Sequence, residues 1–292
     1  MSHRILTTHV GSLPRSKAVT DVVFAHERGE PVEDATSVIA QAVKDVVKRQ
    51  VASGVDIVSD GEMSKISYAT YIKDRITGFD GDSPRRAPRD LEDFPKLLQR
   101  QASGGGTPTY RRPCCVGPIE VKSMQPLQED LNNFAEALAT VEVSDAFMNA
   151  ASPGVIALFQ PNKHYATQEE YLNASADGMR PEYEAIVAAG YILQHDSPDL
   201  GLGKHMMFKD NPESYEALAM QHVEALNSAL RNIPADRIRM HICWGNYEGP
   251  HHYDAAMSEV MPVALQAKPQ GLLFENANPR HNHEWEQVAQ MT

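Results

Sequence analysis

RIRMHIC, at Arg237–Cys243, alternates as a β-strand does and ends with an imidazole and a thiol two residues apart. Side chains at i and i+2 leave a strand on the same face. His241 and Cys243 are therefore expected to point at one spot at the strand's C-terminal end. A second strand-like run, GLLFE at Gly271–Glu275, delivers the carboxylate of Glu275 to the corresponding place. Nitrogen, sulfur and carboxylate oxygen together suit zinc, and three protein ligands with one open position mark a catalytic site more than a structural one. An H-x-C pair alone is weak evidence, because most His and Cys on buried strands are packing residues. The segments around it strengthen the reading.

Strand-like runs recur along the chain at Ile5–Val10, Val55–Ser59, Arg112–Val116, Val155–Phe159, Tyr191–His195, Arg237–Cys243 and Gly271–Glu275. Helical patterns lie between them, at Asp34–Ser53, Gln125–Met148, Gln168–Ala189 and Asn211–Asn232. Gly54 reads as the stop of the first, and Asn211-Pro212 as a cap followed by proline in the first turn of the last. Strand and helix in alternation imply a parallel sheet. Seven such units in 292 residues fit an α/β fold of the (β/α)8 TIM-barrel type better than a doubly wound sheet. No G-x-G-x-x-G follows the first strand, so the Rossmann alternative lacks its signature. An eighth strand is missing from the count, and Thr292 falls inside the seventh helical pattern. The expectation is a single barrel domain over residues 1–292, truncated at its C-terminus.

Polar residues gather just after the strands: Gly11-Ser12, Asp60-Gly61-Glu62, Gly117-Pro118, Gln160-Pro161-Asn162, Asp196-Ser197-Pro198, His241 with Cys243, and Glu275-Asn276. Barrels place their chemistry on that face. One stretch, Phe79–Arg112, is charged, proline-rich and too long for an ordinary βα loop. It reads either as an inserted hairpin or lid over the barrel mouth, or as a disordered surface insertion. The formal charge of −12 argues against nucleic acid and anionic membrane surfaces as partners. No apolar stretch approaches the roughly 20 residues that span a bilayer, and the N-terminus lacks the apolar core of a secretory signal. Three cysteines, two of them adjacent at Cys114 and Cys115, make no disulfide framework and read as core thiols. The expected location is cytoplasmic.

Five blocks taken together resemble a known family: TTHVGSLPRS at Thr7–Ser16, GVDIVSDGE at Gly54–Glu62, LQHDSPDL at Leu193–Leu200, HICWGNYEGPH at His241–His251 and FENANPRH at Phe274–His281. They occur in the order found in the catalytic barrel of the cobalamin-independent methionine synthases and their single-barrel relatives, beside the uroporphyrinogen decarboxylase-like barrels. The resemblance implies a zinc-dependent methyltransferase in which a small thiol, most simply homocysteine, receives a methyl group to form methionine. It implies His241, Cys243 and Glu275 as zinc ligands, and Ser12, Glu62 and Asp196 as the residues that hold the amino-acid part of homocysteine. The family's further cysteine ligand has no counterpart, since Cys243 is the last cysteine of the chain.

The sequence also departs from the methionine synthases at Asp196-Ser197-Pro198 and at Trp244–His251. These features look more like the short branch that includes epoxyalkane:coenzyme M transferases, so alkyl transfer to another thiol stays open, as does an inactive truncated barrel. A sulfonate-bearing thiol would need Arg15 or Lys65. A methyl donor that leaves as an anion needs a general acid, for which His251 is the candidate, with His252 and Asp254 beside it. Tyr68, Tyr71 and Trp244 could stack on a donor or simply pack, and His9 sits at the barrel mouth with no assignable role.

Overall fold

The computed structural model describes residues 4–84, 87–104, 110–208, 214–247 and 249–291. Its strands are β1 (Ile57–Ser59), β2 (Phe79–Asp80), β3 (Cys114–Cys115), β4 (Asp145–Ala151), β5 (Ile192–Asp196), β6 (Ile238–Ile242) and β7 (Gly271–Phe274). Five of them form one parallel sheet in the order β1-β4-β5-β6-β7. Thr8 adds a sixth position through a parallel bridge to Ile57. Helices α1 (Lys17–Glu27) and α2 (Ala35–Ala52) precede β1, and α3 (Arg89–Glu92) and α4 (Pro95–Gly104) lie between β2 and β3. Helix α5 (Gln125–Leu138) leads into β4, α6 (Pro153–Phe159) and α7 (Gln168–Ala188) connect β4 to β5, and α8 (Gly203–Met206) and α9 (Tyr215–Ala229) connect β5 to β6. Helix α10 (Met257–Ala264) joins β6 to β7, and α11 (Trp285–Met291) follows. This is the α/β alternation of a (β/α)8 barrel, with six of its parallel positions among the described residues.

The expected count of seven barrel strands is corrected in three places. Val155–Phe159 is not a strand but most of α6. Ser152 accepts a hydrogen bond from Val155 N and Pro153 occupies the first turn, a start signal that the apolar run masks. Arg112–Val116 supplies only β3, which pairs antiparallel with β2 and stays outside the parallel sheet. The pattern read as one helix over Gln125–Met148 is α5 followed by β4. Six of the seven β4 residues are buried, so the strand shows none of the alternation that reveals a half-exposed one. Asn211, Glu248 and part of the GGGTPT run lie outside the described residues.

Apolar side chains of the helices cover the outer face of the sheet. Ile156 of α6, Tyr183 and Ile186 of α7, and Val223 and Leu226 of α9 are all buried. Each such burial is worth about 1.5–3 kcal/mol. Helix α7 starts with a capping box between Thr167 and Glu170, and Gly54, at φ 81°, turns the chain out of α2 towards β1. Among the described residues, no helix is long and apolar enough to cross a membrane.

The inner face of the sheet is polar. Arg239 on β6 is buried, stacks on Phe147 of β4 with its guanidinium carbon 3.8 Å from the ring centre, and donates to Gln194 Oε1 at 2.7 Å. It also reaches Thr8 Oγ1 at 3.2 Å and the His9 carbonyl at 3.3 Å. The curled sheet is thus tied across its interior from β6 to the N-terminal segment. Burial lowers this guanidinium's pKa to about 10, against the opposing charges of Asp196 and Asp145.

The inserted segment between β2 and β3 rests on the loop after β6. Tyr247 donates to Asp90 Oδ2 at 2.7 Å, His252 Nε2 donates to Asp93 Oδ2 at 2.9 Å, and Phe94 meets His252 edge-on. Arg89 lies over the Tyr253 ring, 4.4 Å from its centre.

Candidate active site

The C-terminal ends of β1, β4, β5 and β6 bring four polar side chains to one place. Register sets two of them level, since Asp196 on β5 pairs with His241 on β6. His241 Nδ1 donates to Asp196 Oδ1 across 3.1 Å, and Asn149 Nδ2 donates to Asp196 Oδ2 across 3.0 Å. Asn149 also donates to the Val10 carbonyl at 2.9 Å, which ties β4 to the N-terminal segment. With Nδ1 engaged, the lone pair of His241 sits on Nε2 and faces outward from this pair.

Glu62 comes from the turn after β1. Gly61 (φ 66°) and Glu62 itself (φ 55°) are both left-handed, a conformation that costs a side-chain-bearing residue energy and turns the carboxylate inward. Asp60 Oδ1 accepts from Glu62 N at 3.1 Å and holds the turn. Ser12 Oγ donates to Glu62 Oε2 at 2.5 Å. Arg15 donates to the carbonyls of Glu62 (2.7 Å) and Lys65 (2.6 Å). Lys65 is buried and donates to the Asn149 carbonyl at 2.6 Å.

Only 1% of Glu62 is exposed, and burial is the main force on its carboxyl. Burial and the negative charges of Asp196 and Asp60 push its pKa up to about 7, against the opposing pull of Lys65 and the Ser12 hydrogen bond. Gly11 completes the wall: a Cβ there would lie 2.5 Å from Asn149 Nδ2 and 2.7 Å from Glu62 Oε1. Glu62 and Asp196 thus form a buried carboxyl cluster, with the charges of Lys65 and Arg15 acting on Glu62 and that of Arg239 on Asp196.

Cys243 follows β6, and burial pushes its thiol up to about 12, helped by Asp196 and Glu275. Glu275 follows β7 and is exposed. The three side chains offer the donor chemistry of zinc. As a set, however, their ligand atoms do not gather within 4.8 Å among the described residues; the group that does is Asp90, His251 and Asp254. His251 lies in that second cluster, with Nε2 3.1 Å from the Tyr247 carbonyl and Nδ1 3.2 Å from Asp254 Oδ1.

The other sequence candidates have packing partners. Tyr71 donates to Glu182 at 2.7 Å and Trp244 to the Ala255 carbonyl at 2.7 Å, while Tyr68 packs edge-on against Phe159. Cys114 and Cys115 are both buried, and His9 Nε2 bonds Gln50 Oε1 at 2.9 Å. Asn149 escaped the sequence reading because β4, the strand that carries it, was taken as the end of a helix closing at Met148. Its signal was present, as the single amide in the apolar run AFMNAA at 146–151.

The family model described as the catalytic domain of the cobalamin-independent synthases matches residues 5–84, the part that carries Ser12 and Glu62. A methionine synthase of Saccharolobus solfataricus is 28% identical over 243 residues, covering 82% of this chain and 63% of the relative. One of Sulfurisphaera tokodaii is 26% identical, covering 82% and 62%. The chain therefore spans less than two thirds of the length of these relatives. A solved Listeria monocytogenes structure, assigned as a vitamin-B12-independent methionine synthase, superposes with a TM-score of 0.62 at 18% identity, over 99% of this chain and 89% of that one. A B12-independent methionine synthase of Shewanella sp. W3-18-1, solved with selenomethionine, gives 0.61 at 18% identity over 83% and 64%. In sequence blocks and in fold alike, the chain resembles the catalytic barrel of the cobalamin-independent methionine synthases.

Proposed function

We propose that this chain is a methyltransferase acting on a small thiol amino acid, most simply homocysteine, which it converts to methionine. The observation that carries the reading is the buried pair Glu62 and Asp196, gathered with Ser12 one step from His241 and Cys243. A recess lined by two carboxyl groups selects a cation, and an amino acid's ammonium group fits it. Charge-assisted hydrogen bonds of this kind contribute about 1.5–3 kcal/mol each.

Glu62 adapts to that task. Near neutral pH its carboxyl stands at its own pKa of about 7, and an arriving ammonium favours the ionised form. The proton leaves to solvent and the carboxylate then pairs with the ligand. Asp196 stays oriented by Asn149 and His241, so it accepts from the ammonium without first having to reorganise. Arg15 and Lys65 are both engaged with backbone carbonyls, which leaves a sulfonate-bearing thiol such as coenzyme M without a free cation from either residue.

His241, Cys243 and Glu275 would hold zinc. When bound, such an ion lowers the pKa of a coordinated thiol and leaves its sulfur nucleophilic near neutral pH. Asp196 fixes the His241 ring through Nδ1, so that Nε2 is the ligating atom. In the overall reaction the acceptor loses its S–H proton and gains an S–CH3 bond, while the donor loses its methyl group and takes up a proton. Holding both reactants in line is the barrel's main contribution, worth up to roughly 7–11 kcal/mol in favourable cases.

The test is product analysis with homocysteine and coenzyme M offered together to the zinc-supplemented chain with candidate methyl donors. Methionine as the product supports the reading. S-alkylated coenzyme M alone would contradict it.

A further inference from the structure

We propose that Asp90, His251, Asp254 and His205 form a second site for a divalent transition metal, which joins the inserted segment to the loop after β6. One ligand atom from each of Asp90, His251 and Asp254 lies within 4.8 Å of the others. None of the four residues belongs to the Glu62 recess or to the His241, Cys243 and Glu275 set. The site goes beyond the methyltransferase reading and does not depend on it.

The hydrogen bonds leave the ligand atoms free. Asp90 is fully buried; its Oδ2 accepts from the Tyr247 hydroxyl at 2.7 Å, while its Oδ1 has no hydrogen-bond partner. His205 is 3% exposed and neither of its ring nitrogens has a hydrogen-bond partner. Its Nε2 points at Asp254 Oδ1, 3.6 Å away. A buried imidazole and a buried carboxylate oxygen left unbonded are each destabilising, because neither recovers the hydrogen bonds it gave up to water. A cation between them removes both costs.

His251 points the same way. Its Nε2–H donates to the Tyr247 carbonyl at 3.1 Å, which leaves the lone pair on Nδ1. That lone pair faces Asp254 Oδ1 across 3.2 Å. Two electron-rich atoms at this distance repel unless a positive charge, a second ring proton or a metal ion, lies between them.

Three of the four ligands, Asp90, His251 and Asp254, also have an outer partner of the kind that supports metal sites. Tyr247 serves two, through its hydroxyl on Asp90 and its carbonyl on His251. His281 donates from Nε2 to Asp254 Oδ2 at 3.2 Å, and its own Nδ1 bonds Glu284 Oε2 at 2.6 Å. Two imidazoles and two carboxylates neutralise a dication and suit zinc or a similar late divalent metal. Magnesium and calcium prefer oxygen alone. As a ligand, His251 takes this role in place of the general acid expected from its position in the sequence.

Cobalt(II) is the probe, because thiolate ligation gives an intense near-ultraviolet charge-transfer band that nitrogen and oxygen ligands lack. Titrated into the parent chain, cobalt is expected to fill a phase with d–d bands only, which zinc displaces. Asp90→Asn and His251→Gln should each remove that phase. Tyr247→Phe, which keeps every ligand, should weaken it by about 10–100-fold. In a His241→Ala, Cys243→Ser chain the same phase should persist at one equivalent. Absence of a charge-transfer-free phase in the parent chain overturns the proposal, as does a phase indifferent to both Asp90→Asn and His251→Gln.

Discussion

Glu62 carries two costs, a left-handed backbone and a buried carboxyl, and both are understandable if the residue is kept for binding rather than for stability. Its folded pKa of about 7 lies above the ordinary 4.5, so the folded chain holds this proton more firmly than the unfolded one. The group therefore favours folding below about pH 4.5, and that contribution is lost as the pH rises through about 7. Glu62→Gln removes the dependence. The variant should gain on the parent by on the order of 2–4 kcal/mol between pH 5 and pH 8, read by urea unfolding at both values. Gly11→Ala should act in the opposite sense on function. A methyl group 2.5 Å from Asn149 Nδ2 and 2.7 Å from Glu62 Oε1 forces these buried side chains to shift, so homocysteine affinity should drop at least tenfold and urea unfolding should show a loss of about 1–3 kcal/mol. At this scale the sequence was informative wherever a polar residue followed a legible strand, as with Glu62, Asp196 and His241. It was silent on Asp90, a carboxylate in a charged insertion with nothing nearby to single it out.

Elements differ in how openly the sequence declares them. Strand β6 alternates polar residues with buried apolar ones and β5 ends in the polar run Gln194-His195-Asp196, and both were read to within a residue or two at each end. Strand β4 was missed because burial on both faces erases the period of two, and Ala, Met and Phe suit a helix as well as a strand. Helix α6 was mistaken for a strand for the converse reason, a short apolar run whose Ser152-Pro153 cap lay just upstream. Caps matter energetically here too: Thr167→Ala breaks the α7 capping box and should cost about 1 kcal/mol in chemical unfolding. A larger effect is expected where three elements meet. Arg75, after the short 3-10 turn Thr70–Asp74, pairs with Asp130 of α5 and with Glu182 of α7 at 2.6 Å, all of them buried. Removing the cation strands two carboxylates in the interior, so Arg75→Ala should destabilise the chain by about 3–5 kcal/mol.

For the molecule as a whole, a polar interior decides what the fold can do. Arg239, Gln194 and Asn149 fill the space inside the curled sheet and link it to the N-terminal segment, and the Glu62 and Asp196 recess sits above them. The parallel α/β plan was legible from the alternation of runs, but the strand count was not. One apparent strand was a helix and another belonged to a separate hairpin, while a real strand lay hidden in a helical pattern. The central claim is that the Glu62 and Asp196 recess binds an amino acid's ammonium group beside His241 and Cys243. Calorimetric titration of homocysteine into the zinc-supplemented chain, repeated with Glu62→Gln and Asp196→Asn, tests it most directly. The account predicts binding that each substitution weakens by about 10–100-fold, in line with the loss of one charge-assisted bond. Homocysteine affinity unchanged by both substitutions would contradict it.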